Sequence, residues 1–182
     1  MKKQQKGFSL IELLIVVAII LIIAAIAIPN LLRSRMAANE ASGVGSLRTI
    51  NTAAVTYSSM YGNGYAATIG VLGGPDGTTT ATCTASLLID PLLSGQGGAT
   101  DPSLKSGYNF HIFNGSVAVT PTPAGCNPGY SDGYVAVAYP VSVGTTGQRS
   151  FCTDATGVIQ FDPTGTEAAP TGVNCPLLTP IQ

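Results

Sequence analysis

The chain has 182 residues, with eight lysines and arginines against nine aspartates and glutamates, a formal net charge of −1 and a single histidine. Charged residues make up 9% and hydrophobic residues 45%, too apolar for a disordered chain, while 22 glycines and 12 prolines are too many for a helical bundle. The near-balanced charge gives no electrostatic reason for nucleic acid as a partner, and one histidine, His111, argues against histidine-based metal or triad chemistry.

From Phe8 to Ile28 every residue except Ser9 and Glu12 is hydrophobic or alanine, a run of 21 positions. As a helix rising about 1.5 Å per residue it is roughly 32 Å long, which matches a hydrocarbon core of about 30 Å. Lys2, Lys3 and Lys6 precede the run with no acidic residue, so the positive-inside rule keeps the N-terminus cytoplasmic and exports the chain beyond Ile28. A cleavable secretory signal has an apolar region of about 7 to 15 residues, shorter than this one. A plain anchor has no use for Glu12, whose carboxylate would cost about 2.5 to 3.5 kcal/mol at a membrane centre and less near the interface.

The stretch Lys6-Gly7-Phe8-Ser9-Leu10-Ile11-Glu12-Leu13-Leu14-Ile15-Val16-Val17-Ala18-Ile19-Ile20, continuing through Ala24-Ala25-Ile26-Ala27-Ile28-Pro29-Asn30, resembles the N-terminus of type IV pilins and of the pseudopilins of type II secretion. The resemblance covers roughly the first 30 to 35 residues. It implies a leader, 1–7, that a membrane prepilin peptidase removes after Gly7, with methylation of the new N-terminus at Phe8. It also implies that Glu12 serves subunit assembly by pairing with the amine of a neighbouring copy. Cleavage there takes away all three lysines and leaves five basic and nine acidic side chains, a formal charge of −4.

Segment 8–29 is thus the expected transmembrane and filament-core helix, and 30–61 its amphipathic continuation. Leu31, Leu32, Met36, Val44, Leu47, Ile50, Ala54, Tyr57 and Tyr61 follow spacings dominated by three and four. Pro29 lacks an amide donor and clashes with the preceding turn, so a kink or a locally unwound stretch is expected there. Gly43 and Gly45 are weak points, each costing up to about 1 kcal/mol relative to alanine. The stripe Val44, Leu47, Ile50, Ala54 and Tyr57 is the face expected to pack on a sheet. Tyr57, Tyr61 and Tyr65 suit core and subunit contacts better than a conducting track. Arg33, Arg35 and Arg48 read as solvated or inter-subunit charges rather than a nucleic-acid or phosphate site.

Gly62-Asn63-Gly64 and Gly73-Gly74-Pro75-Asp76-Gly77 are turn signals, and 62–106 reads as a glycine-rich connecting loop. Within it Ser86 to Leu93 is a short helical piece that Pro91 ends or kinks. Segment 107–182 holds an antiparallel meander: Tyr108 to Phe113, Tyr134 to Tyr139, Gln148 to Thr153 and Val158 to Phe161. Asn114-Gly115 and Asp154-Ala155-Thr156-Gly157 supply turn residues that tolerate positive φ, and Ser142 to Gly147 is a longer connection. The fold class is therefore α+β, a pilin fold in which one long helix lies on a small antiparallel sheet.

His111 sits in a strand pattern with no second histidine and reads as a strand residue. Asp162-Pro163-Thr164-Gly165-Thr166-Glu167 gathers oxygen donors, and some secretion pseudopilins that it resembles bind calcium in such a loop. It lacks the alternating-ligand pattern and reads as an ordinary turn, so no metal or cofactor is expected. Asn114-Gly115-Ser116 is a formal glycosylation sequon that a hairpin turn explains equally well.

Cys83, Cys126, Cys152 and Cys175 all lie in the exported part, where disulfides are favoured and their spacing does not suit zinc. Four cysteines allow three pairings. The resemblance favours one bond tying the C-terminal segment to the last strands, Cys152 with Cys175, which leaves Cys83 with Cys126.

No nucleophile, base and orienter can be assembled, so the expectation is a non-enzymatic structural subunit. The resemblance implies as partners copies of itself in a helical homopolymer, the prepilin peptidase, the inner-membrane assembly machinery, and the membrane before assembly. It implies a single-pass inner-membrane protein that ends in an extracellular type IV pilus serving adhesion or twitching motility. A type II secretion pseudopilin is the nearest alternative. A membrane-tethered binding domain that never polymerises is the other.

Overall fold

The computed structural model describes residues 9–75, 77–95, 102–129, 132–167, 174–176 and 179–181, and the chain divides into two compact units, Met1–Arg35 and Met36–Gln182. Its elements are α1 (Leu10–Tyr61), α2 (Ile69–Gly73), α3 (Pro91–Ser94), β1 (Ser103–Lys105), β2 (Tyr108–Asn114), β3 (Tyr134–Pro140), β4 (Ser150–Asp154), β5 (Ile159–Asp162) and β6 (Thr179–Pro180).

The first unit contains the start of α1, where Leu13 N donates to Ser9 O at 3.2 Å. Its long branched side chains satisfy no core. Sixteen large apolar residues between Leu10 and Leu32 are each 46% to 78% exposed. Such a surface is stable only when lipid or other helices cover it. Pro29 has no amide to offer Ala25, yet residues 10–61 are helical without interruption, so the locally unwound stretch expected there is absent. The Asn30 side-chain amide donates to Ile26 O at 3.1 Å and the Ser34 hydroxyl to Asn30 O at 3.0 Å, so side chains supplement the ladder around the proline.

In the second unit α1 buries Glu40, Gly43, Ser46, Leu47, Ile50, Ala53, Ala54 and Tyr57, a stripe at helical spacing. It lies on a six-stranded antiparallel meander in the order β1-β2-β3-β4-β5-β6. The inward residues alternate along the strands: Tyr108, Phe110 and Ile112 on β2, Tyr134, Ala136 and Ala138 on β3, Phe151 on β4 and Ile159 on β5. With Leu47, Ile50, Ala54 and Tyr57 they form one core, and each fully buried large side chain contributes about 1.5 to 3 kcal/mol. Two polar contacts fix the register of helix on sheet. Asn51 Nδ2 donates to Thr153 Oγ1 at 2.9 Å, and Tyr134 OH donates to Asn51 Oδ1 at 2.8 Å. Burial, with Tyr65 and Asp154 nearby, pushes the Tyr134 phenol up, which keeps it a neutral donor.

The opposite sheet face is also covered. Val135, Val137 and Cys152 are fully buried there, with Phe113, Tyr139 and Cys175 packed against them. This explains why β3 is apolar at nearly every position rather than alternating.

Several local expectations need correction. The stretch 62–106 carries α2, α3 and β1 rather than loop alone. Pro91 opens a helix instead of ending one: it stands at the first helical turn, where no amide is needed, and Asp90 caps it by accepting from Leu93 N at 3.1 Å. Burial raises the Asp90 carboxyl, but the hydrogen bonds from Lys105 and the Leu93 amide together outweigh it and hold the group below its ordinary value. Asn114-Gly115 makes no tight hairpin. Neither residue has a positive φ, and the connection runs on to Tyr134. Gly115 is needed there for another reason, because a Cβ would meet Asp132 Oδ1.

Candidate functional site

Glu12 occupies the first turn of α1, exposed on a helix whose neighbours Leu10, Ile11, Leu13 and Leu14 are exposed as well. It is the only ionisable side chain between Leu10 and Leu32. Once lipid or packed helices cover that segment, the carboxylate stays charged only beside a cation and otherwise takes up a proton. Gly7 and Phe8, the expected cleavage and methylation positions, lie outside the described residues.

The cysteines form two bonds, Cys83 with Cys126 and Cys152 with Cys175, with Cα separations of 5.3 Å and 5.9 Å. Each contributes about 2 to 4 kcal/mol, chiefly by restricting the unfolded chain. The first ties the segment after α2 to the long connection between β2 and β3. Asn63 Nδ2 holds the same connection by donating to Asn127 O at 2.6 Å, and Tyr57 OH donates to Cys83 O at 2.8 Å. The second bond fastens the C-terminal segment to the outer face of β4, where Cys175 N donates to Asp154 Oδ2 at 3.3 Å.

An ion pair between buried Glu40 and exposed Arg149 escapes sequence reading. Glu40 accepts from Arg149 Nε at 3.0 Å and Nη2 at 2.6 Å through one oxygen, and from Gln148 N and Arg149 N through the other. The guanidinium also lies over Phe151 and Phe161, 5.7 Å and 5.3 Å from the ring centres. Glu40 falls on the same helical face as Leu47 and Ile50, which is a signal of a buried charge. Its partner lies 109 residues away, and no spacing rule reaches it. Burial, with Glu40 close by, pushes the Tyr108 phenol up, and it donates to Arg149 O at 2.8 Å.

The other candidate residues have local roles. His111 Nδ1 is 3.0 Å from Glu167 Oε1, and its ring packs on Phe113 at 4.1 Å. In the oxygen-rich loop Asp162 Oδ1 accepts from Thr164 N at 2.8 Å, and Thr164 and Thr166 share a hydrogen bond of 2.9 Å. Tyr57 stacks with Tyr61 at 5.1 Å and Tyr65 with Tyr134 at 5.0 Å, within and beside the core. Arg33, Arg35 and Arg48 are exposed and form no ion pair among the described residues.

An uncovered apolar helix with one carboxylate in its first turn, in a chain whose remaining described residues form a disulfide-tied α+β unit, fits a subunit whose helix is covered by lipid or by other copies. The prokaryotic N-terminal methylation motif matches residues 2–28. The type IV wide pilus major component PilA4 of Thermus thermophilus is 36% identical over 107 residues, 54% of this chain and 79% of that protein. A type IV major fimbrial protein FimA of Dichelobacter nodosus is 54% identical over 52 residues, 27% of this chain and 33% of its own length. No solved structure matches. The chain belongs to the type IV pilin family and is a structural subunit of a pilus. Both relatives are named as structural components rather than enzymes.

Proposed function

We propose that this pilin is a major subunit of a type IV pilus used for adhesion or twitching motility, processed after Gly7 and methylated on Phe8. Residues 1–7 are the leader, 8–29 the span and later filament core, 30–61 its amphipathic continuation, 62–106 the connection and 107–182 the sheet and C-terminal region. Pro29 is where the helix bends or opens when it packs into the filament. Before assembly the chain crosses the inner membrane once, N-terminus inside. There it meets the prepilin peptidase and the assembly machinery. The relatives named as major pilus components favour this over a secretion pseudopilin.

The observation that carries the reading is Glu12 standing alone among sixteen exposed apolar side chains. In a core of packed helices the amine of Phe8 becomes a buried positive charge, and an unpaired buried charge costs several kcal/mol. Glu12 of a neighbouring copy neutralises it and selects one axial offset among the many that apolar helices accept. Glu12→Ala therefore gives a chain that inserts and loses its leader normally but enters filaments poorly. Since about 1.4 kcal/mol is tenfold in an equilibrium, sheared filaments fall by about tenfold or more against membrane-held mature subunit. Wild-type filament yield from this variant overturns the pairing.

A further inference from the structure

The charges of the second unit are divided in a way that its own fold leaves unanswered. Lys105 is paired with Asp90 and Arg149 with Glu40, but Arg48 has no carboxylate partner among the described residues. It borders a groove of about 300 Å³ whose other walls include Ala37, Glu40, Ala41, Val44, Arg149 and Ile181. The helix positions 37, 41, 44 and 48 share one face, and since Glu40 is already paired with Arg149, the guanidinium of Arg48 is the charge the groove leaves unmatched.

A group of complementary charge lies elsewhere on the same unit. Asp132 accepts from Ser116 N and Oγ at 2.7 Å and from Val117 N at 3.0 Å, and Val117 beside it is 53% exposed. No described cation pairs with Asp132. The hydrogen bonds from Ser116 and Val117 hold its carboxyl down to about 2, so it is fully ionised near neutrality. Asp162 is a poorer match. It is paired with Ser150, next to the groove's own Arg149 and Phe151, and has no exposed large apolar residue beside it in the turn.

Groove and knob stand at opposite ends of the unit along α1. The groove belongs to residues 37–48, whereas the connection carrying Asp132 is fastened at Asn63, just past the helix end. From Arg48 to Tyr61 the helix rises about 20 Å. Within one copy no ion pair joins Arg48 to Asp132. Between copies they make a heterologous contact, the kind that propagates into an open helical filament.

We propose that in the pilus the Val117 and Asp132 knob of one subunit seats in the Arg48 groove of another, with Asp132 paired to Arg48 and Val117 against Ala41 and Val44. This deepens the pilin reading and rests on it. Filaments sheared from cells carrying Arg48→Lys, which keeps the charge and adds a reactive amine, are treated with a zero-length carbodiimide and mapped by peptide mass spectrometry. The expected product joins position 48 to Asp132 in filaments and is absent from detergent-solubilised monomer treated in the same way. Cross-links from position 48 only to Glu40, Asp162 or Glu167, or none at all, overturn the proposal and leave the pilin reading standing. Failure of the wild-type chain to appear in filaments would instead remove the reading on which it rests.

Discussion

Residues 10 to 35 and residues 36 to 181 bury their apolar side chains by opposite means. In the second unit Leu47, Ile50, Tyr57, Phe110 and Phe151 are sealed within one chain. In the first unit Leu10 to Leu32 bury nothing on their own. The difference shows that apolar content alone does not say where the covering comes from. A side chain buried by its own fold contributes to the stability of the monomer. One left bare contributes to membrane residence first and polymer cohesion afterwards.

The strongest test of that division is a matched pair of truncations. Phe110→Ala empties a fully buried site and should cost about 3 to 5 kcal/mol of unfolding free energy. Ile19→Ala should leave unfolding of the second unit unchanged within about 0.5 kcal/mol, because Ile19 touches no core, and should lower filament yield instead. Denaturant unfolding of full-length chain in detergent, followed by near-ultraviolet dichroism of the tyrosines, measures both. Equal destabilisation by the two variants would break the comparison.

A smaller effect sharpens it on the polar side. The Asp132 carboxyl is held down to about 2, from an unfolded value of 3.8, by its hydrogen bonds from Ser116 and Val117. A depressed folded value means that its contribution is present above pH 3.8 and is lost as pH falls towards 2. Nuclear magnetic resonance should show the Asp132 carboxyl and the Ser116 and Val117 amides titrating together near pH 2. Gly115→Ala, whose Cβ would meet Asp132 Oδ1, should move that midpoint up towards 3.8. Glu12 lies outside this network.

Much of the fold and the candidate site is legible in the chain because the signals are local. The 21-residue apolar run, the carboxylate at position 12, the period-two strand around Phe110 and the apolar strand around Val137 are each read within one element. The features that escape depend on residues far apart. Helix α2, Ile69-Gly70-Val71-Leu72-Gly73, is short and glycine-flanked, so it reads as loop; it persists because its carbonyls accept from Ser86 and Leu88 and all five residues are buried. Strand β1 is too brief to stand out until Phe110 and Tyr108 offer it an edge. Pro91 taken alone reads as a helix end, whereas its place at a helix start depends on Asp90 as the cap beside it. Glu40 is visible on the buried stripe, but Arg149 is not visible as its partner.

The proposed passage from membrane span to filament turns on one event, the loss of the lysine-bearing leader, after which Glu12 is the one charged side chain left in the apolar run. Intact-mass measurement of the subunit in sheared surface filaments tests it most directly. The expected chain begins at Phe8 and carries one methyl group on its amine. Assembled subunit that retains Met1 to Gly7 would contradict it.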